Sequence, residues 1–224
     1  MSVTTPFWIS VFLDFAAGDF ERGVTFWAGV TGCRVSSRRG DDGEFATLVP
    51  PDGDDFLRVQ ELREAPGRLH LDLHVPDPGA AAHEAVTLGA MVVTRHRHGY
   101  VVLSSPGGLT FCFVRHRSTQ RPRPRSWPGG HRSLVDQVCL DIPAGRHEAE
   151  LAFWTALTGW ELRHSPWADE FHSLVRPPGM PVRLLLQRLG EPEGTVRAHL
   201  DISTTDRAAE TERHRALGAR VQHE

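Results

Sequence analysis

A long internal repeat constrains this chain more than any other feature. FWAGVTG at Phe26–Gly32 returns as FWTALTG at Phe153–Gly159, RLHLDL at Arg68–Leu73 returns as RAHLDI at Arg197–Ile202, and LGA at Leu88–Ala90 returns at Leu217–Ala219. The offset is 127 residues at the first match and 129 at the other two, so the order survives with only two residues of insertion. The chain therefore reads as two copies of one unit of roughly 110 residues, and every candidate residue has to be compared across the copies.

A length of 224 residues suits two such units, each able to bury a core of its own. The formal net charge of -3 gives no electrostatic case for nucleic acid or for an anionic membrane surface, so neither is expected as a partner. No apolar run approaches the roughly 18 residues of a membrane span. The start, MSVTTPFWISVFLDF, lacks a basic stretch and a cleavage site, so no secretory signal is expected and a cytoplasmic location is. Cys33, Cys112 and Cys139 are odd in number and fall in regular elements, which reads as free thiols in a reducing compartment.

Periodicity predicts a strand at Trp8–Phe15, then a helix capped by Asp19 whose Phe20, Val24, Trp27 and Val30 recur at helical spacing and which Gly32 ends. CRVSSRR, EFATLVP and FLRVQEL follow as three strands between Gly, Asp and Pro turns. The order restarts with RLHLDLHV as a strand, an Ala-rich helix opened by Asp77 and Pro78 and stopped by Gly89, and three more strands in MVVTRHRH, YVVLSS and LTFCFV. The fold class is α+β: two tandem domains, each of paired βαβββ modules, with the last module incomplete. The first domain is placed at 1–116, with modules at about 6–64 and 67–116. An Arg/Pro segment at 117–132 reads as a stiff solvated linker, and the second domain occupies 133–224. Copy one runs 27 residues past Gly89 to His116, whereas copy two runs 6 past Gly218, so its final two strands are expected to be missing. That leaves an open sheet edge, or a natural product that continues for about 20 residues, and a homo-oligomer is one way to cover such an edge.

Strand parity then sorts the side chains. In RLHLDLH, Leu69, Leu71 and Leu73 share one face, while Arg68, His70, Asp72 and His74 share the other. Copy two repeats the pattern, with Arg197, His199 and Asp201 on its polar face. Side chains at i and i+2 stand about 6–7 Å apart, which disfavours a direct His–Asp dyad within either strand.

Tandem modules of this kind, with an FW-containing first helix ending in a Gly turn and a histidine on the second module's first strand, resemble the vicinal oxygen chelate superfamily. FWAGVTGCRV and FWTALTGWEL are similar to its helix-to-strand signature, and SSPGGLTFCFV to its closing turn and strand, with Ser105 where Asp is usual. The resemblance implies that each domain curls its sheet into an open cup holding a small organic molecule. It also implies up to four metal ligands, on the first and last strands of each module. Carried over position by position, these fall at Ser10, Arg58 or Gln60, His70 and Cys112 in copy one. In copy two they fall at Gln137, Leu185 or Gln187, and His199, with the fourth beyond Glu224.

Such a set looks poor for a divalent ion. Arg58 turned inward would oppose a dication about 4 Å away by about 8 kcal/mol at an effective dielectric of about 20. The reading of the sequence is accordingly a metal-independent small-molecule binder of bleomycin-resistance type. Its ligand-binding residues would be Ser10, Arg58, Gln60, Arg68, His70, Asp72, Cys112, Gln137, Gln187, Arg197, His199 and Asp201, with Trp8, Trp160 and Trp167 able to stack on a planar ligand. No cofactor is expected on this reading; His70, Cys112 and His199 are the residues a divalent metal would use. The alternative is a metal-dependent lyase or dioxygenase, and a third reading is a scaffold serving assembly only.

Overall fold

The computed structural model describes residues 4–63 and 66–222. The module boundary placed at residue 64, the first three residues and positions 223–224 lie outside them. In the first copy β1 (Trp8–Ala16) leads to α1 (Phe20–Thr31), β2 (Arg34–Val35), β3 (Phe45–Val49) and β4 (Leu57–Leu62). Then come β5 (Arg68–His74), α2 (Pro78–Thr87), β6 (Met91–Arg95), β7 (Val101–Ser104) and β8 (Thr110–Val114). After a short β9 (Arg125–Ser126), the second copy runs β10 (Arg132–Ile142), α3 (His147–Thr158), β11 (Leu162–His164), β12 (Phe171–Leu174), β13 (Arg183–Arg188), β14 (Arg197–Thr204) and α4 (Arg207–Ala216).

The strands form two open sheets. The first has the order β2-β3-β4-β1-β5-β8-β7-β6; the second has β11-β12-β13-β10-β14, with β9 paired to β10. The centre of each is one antiparallel contact between the first strands of its two modules, with Phe12 opposite His70 in the first sheet and Cys139 opposite His199 in the second. The parity predicted for β5 holds: Leu71 and Leu73 are fully buried in the apolar core, while His70 and Asp72 point to the other face. That other face is nearly as dry, since His70 is 6% and Asp72 5% exposed. Among the described residues nothing pairs with the far edge of β14, so the second sheet has no counterpart of β6, β7 and β8. That is one strand more than the two expected to be missing, because residues 219–222 form no strand.

Helix ends follow local chemistry. Gly32 and Gly159 close α1 and α3 at φ +66° in both copies, a left-handed conformation that glycine adopts without a Cβ clash. Asp77, extended at φ -133°, accepts N–H bonds from Gly79 (2.9 Å) and Ala80 (3.0 Å) and caps α2 as predicted. Asp19 does not cap α1. A 3-10 turn at Ala17–Asp19 already puts it in helical φ/ψ, from which its carboxylate bonds Arg22 instead (2.6 Å).

The Arg/Pro segment is docked, not a free spacer. Asp54 accepts N–H bonds from Thr119 (2.6 Å) and Gln120 (2.8 Å), Arg121 pairs with Asp136, and β9 joins the second sheet. These contacts tie the segment to both copies.

The copies share one continuous apolar core. Phe111 of β8 packs against Phe153 and Trp154 of α3, with ring centroids 5.8 and 5.4 Å apart. Glu150, fully buried on α3, accepts hydrogen bonds from the Gly107 N–H (2.6 Å) and from Trp154 Nε1 (2.7 Å). A Cβ at Gly107 would lie 2.5 Å from Val196 and 2.9 Å from Glu150 Oε1, so the turn before β8 requires glycine. On the other side, Arg213 of α4 donates to the carbonyls of Gly29 (2.9 Å) and Val30 (2.7 Å), satisfying the bare C-terminus of α1. Its guanidinium lies 3.6 Å over the Trp127 ring and pairs with Glu210, which also meets His131 (2.8 Å).

Burial opposes the Glu210 charge, but hydrogen bonds from Arg213, Ser133 and His131 outweigh it and hold the carboxyl at about 2. Its folded value thus lies below the ordinary 4.5. The associated stabilisation is complete above pH 4.5 and is lost as the pH falls toward 2, amounting to roughly 2–3 kcal/mol. Arg213→Ala, which strips two helix carbonyls and leaves Glu210 without its main partner, should destabilise the protein by about 3 kcal/mol. Denaturant melts at pH 7 and pH 3 check this: the gap between wild type and variant should narrow at the lower pH, and equal midpoints at pH 7 would refute the coupling.

Candidate metal centre in the first cup

The cup residues of the first copy come from six neighbouring strands, β3, β4, β1, β5, β8 and β7. On β5, His70 and Asp72 project into it; Asp72 sits opposite Cys112 on β8 and opposite Ser10 on β1. The ligand atoms of His70, Asp72 and Cys112 all lie within 4.8 Å of one another, and all three residues are buried. His70 Nδ1 is 2.8 Å from Asp14 Oδ2, which also accepts from Arg68 Nε at 3.2 Å. His70 Nε2 faces Asp72 Oδ1 at 3.7 Å, too far for a hydrogen bond. The doubtful i,i+2 dyad is therefore absent. The partner of His70 is a carboxylate across the strand pair, and Nε2 is left for another ligand.

Desolvation raises the Asp72 carboxyl above its ordinary value, against the opposing pull of His70 and Arg58. Burial, then the Asp72 charge, pushes the Cys112 thiol well up. A buried acid and thiol that resist ionisation, beside an imidazole nitrogen that has no hydrogen bond among the described residues, are the donor set a dication would stabilise. Asp14 supplies the carboxylate–histidine support that fixes ring orientation at metal sites. The residues fit a divalent metal.

The remaining predicted residues divide. Arg58, Gln60 and Arg68 line the same cavity of 320 Å³, together with Phe12, Phe45 and Tyr100. Arg58 is held by Asp55 at 3.2 Å, so its charge does not stand alone against a dication. Ser10 is fully buried and engaged with His74 Nε2 at 2.9 Å, away from the cavity lining. Trp8 and Trp160 are buried in the core, Trp8 on the same face of β1 as Phe12 but outside the cavity lining, and Trp167 stands 92% exposed, so none forms a ligand platform in the first cup; Phe12, stacked on His70 at 4.4 Å, takes that place.

Copy two repeats the polar group with different surroundings. His199 Nδ1 meets Asp141 at 2.9 Å and its Nε2 lies 3.6 Å from Asp201, matching Asp14–His70–Asp72. Cys139, Asp141 and His199 form a second potential chelating group. Gln137 bonds Asp201 (2.5 Å), Gln187 contacts Cys139 (3.6 Å), and Arg197 pairs with Glu191 outside the group. The His199 side chain is 47% exposed against 8% for His70. The hydrogen bond to Asp141, with that to Cys139, raises His199 to about 10, so at neutral pH it must shed a proton before ligating a metal. Asp14 and Asp141 were missed from sequence, although LDF and LDI recur with the same 127-residue offset as the first helix.

The sequence profile of the glyoxalase-like domain family matches residues 10–114 and again 137–224. The chain belongs to that family, within the vicinal oxygen chelate superfamily. A triple mutant of 4-hydroxymandelate synthase from Streptomyces coelicolor superposes with a TM-score of 0.64 at 16% identity, over 97% of this chain and 76% of that one. The Mn(II)-bound glyoxalase from Novosphingobium aromaticivorans gives 0.62 at 17%, over 96% and 71%. The 2,2',3-trihydroxybiphenyl 1,2-dioxygenase of a dibenzofuran-degrading Sphingomonas wittichii gives 0.58 at 18%, over 96% and 78%. The chain spans only 39% of a xylose isomerase-like TIM barrel/4-hydroxyphenylpyruvate dioxygenase fusion protein that it also matches, with a TM-score of 0.62 at 14% identity. No curated protein sequence matches.

The expectation of a metal-independent binder is thereby corrected. It rested on Ser10 and Arg58 as poor ligands, but the buried group is His70, Asp72 and Cys112 with Asp14 behind it. Among the described residues no helix is long and apolar enough to cross a membrane.

Asp141→Asn should return His199 toward its ordinary value near 6.5. In wild type the pair's contribution is complete below pH 6.5 and fades as the pH rises through about 10. An NMR titration of the His199 ring checks this: wild type should stay charged at pH 8 and the variant should not.

Proposed function

We propose that this chain is a metal-dependent enzyme of lyase or dioxygenase type acting on a small organic molecule in the first cup. The observation that carries the reading is the convergence of His70, Asp72 and Cys112 at a buried, concave surface, with Asp14 bonded to the far nitrogen of the imidazole. His70 Nε2, an Asp72 oxygen and Cys112 Sγ would hold the ion, leaving open positions toward the cavity. When bound, a divalent ion supplies Lewis acidity to a substrate oxygen. Asp14 fixes the tautomer and tilt of His70, and Arg68 holds the second proton-donor contact to the same Asp14 oxygen. Phe12, Phe45 and the partly buried Tyr100 exclude water from the apolar wall. The likeness of the fold to the Mn(II)-bound glyoxalase and to the dioxygenases supports the class. The three cysteines, none in a disulfide, support a reducing cytoplasmic setting.

Metal analysis of freshly purified protein, with equilibrium dialysis against Mn, Fe, Ni and Zn, tests this. About one ion per chain is expected, lost in His70→Ala and Asp72→Asn. Asp14→Asn should weaken affinity by about 10–100-fold while leaving the ligand set intact. A wild-type protein that takes up none of these ions at micromolar concentration would end the reading.

A further inference from the structure

We infer that the first cup selects a flat ligand carrying one carboxylate, and that Arg39 and Arg58 at its rim are the groups that select it. This rests on the metal reading above for its charge balance, but on different residues. Arg39 is reached from outside the predicted site: its backbone is bridged to Phe45 by bonds of 2.8 and 2.9 Å, which anchors it at the cavity lined also by Arg58. Its side chain makes no hydrogen bond or ion pair among the described residues. Arg58 is bonded to Asp55 through one carboxylate oxygen, Oδ1, at 3.2 and 3.3 Å. One carboxylate thus serves two neighbouring guanidinium groups, and the repulsion between them registers as a lowering of Arg39, second to desolvation. Two like charges facing one cavity, one without a partner, form an incomplete anion site.

The charges around the cavity point the same way. Arg39, Arg58 and Arg68 balance Asp14, Asp55 and Asp72. A divalent ion at His70, Asp72 and Cys112 leaves the cavity with an excess of positive charge. An anion offsets that excess, and a planar carboxylate matches the fork geometry of the two guanidinium groups. The body of the ligand is set by the aromatic side chains beside these arginines, the Arg58 guanidinium lying 6.0 Å from the Phe12 ring. Phe12 lies parallel to His70 with an interplanar angle of 10° and edge-on to Phe45 at 6.0 Å, and these rings with Tyr100 give the 320 Å³ cavity an aromatic surface on which a flat ligand can lie.

Calorimetric titration with benzoate and with benzyl alcohol, a neutral molecule of similar shape, tests the inference on metal-loaded and metal-free protein. Benzoate should bind the loaded protein about tenfold more tightly than benzyl alcohol, and less tightly as salt rises. Arg39→Gln, at an exposed position where folding is readily verified by thermal melt, should abolish that preference without changing benzyl alcohol binding. Equal affinity for the two ligands, binding of neither at millimolar concentration, or an unchanged preference in Arg39→Gln would overturn it. Equilibrium dialysis of metal in parallel separates the readings. Metal uptake without benzoate preference refutes the anion site alone, whereas benzoate preference without metal uptake refutes the metal centre and supports the arginine pair.

Discussion

The antiparallel contact between β1 and β5 is the constraint on which the site depends. Its register sets Ser10 opposite Asp72, Phe12 opposite His70 and Asp14 opposite Arg68. A slip by one residue would turn the leucines of β5 into the cup and its polar residues into the helix-side core. The register also decides which carboxylate supports the histidine. Asp72 is two residues along the same strand and lies 3.7 Å from the ring, whereas Asp14 reaches the other nitrogen at 2.8 Å across the pair.

The second sheet shows what the same residues do without cover. β10 and β14 reproduce the contact, and Asp141–His199–Asp201 reproduces the geometry within about 0.1 Å at each contact. Beyond β5 the first sheet continues through β8, β7 and β6, which supply Cys112 and the wall containing Val102. Beyond β14 the described residues supply no such wall. The imidazole there stays half in solvent, its carboxylate partner stabilises the charged form, and proton competition opposes metal. The cups therefore differ in cover and in residue identity, since Cys139 stands opposite His199 where Phe12 stands opposite His70.

Much of the fold was legible because repeats, turn glycines and alternation are properties of the covalent chain. Gly32 and Gly159, the Asp77 cap and the inward face of His70 and Asp72 all follow from spacing. What escaped depends on neighbours distant in sequence. Asp14 lay on a strand whose candidate ligand was placed four residues earlier, at Ser10, and only pairing with β5 shows that Asp14 is the residue beside His70. Arg39 comes from a loop whose approach to the cavity is fixed by a bridge to Phe45, which no periodicity reveals. The tryptophans misled because bulk suggested a stacking surface, while Trp8 and Trp160 fill the core. The Arg/Pro segment misled because composition speaks to stiffness and solvation, and its backbone N–H groups meet Asp54 only in the folded chain.

The joining of the two copies bears on the site as well. Gly107, in the turn leading into β8, donates its N–H to Glu150 of α3 and accepts at its carbonyl from Val196 (2.9 Å). Five residues on, that strand carries Cys112, so the placement of one donor in the first cup is braced by a helix of the second copy. Phe111, adjacent to Cys112, is wedged against Phe153 and Trp154 of the same helix. Close-packed aromatic contacts of this kind leave little room for β8 to shift. The second copy, whose own cup is open to solvent, thus acts on the first through its helices, holding rigid the strand that completes the dry cup.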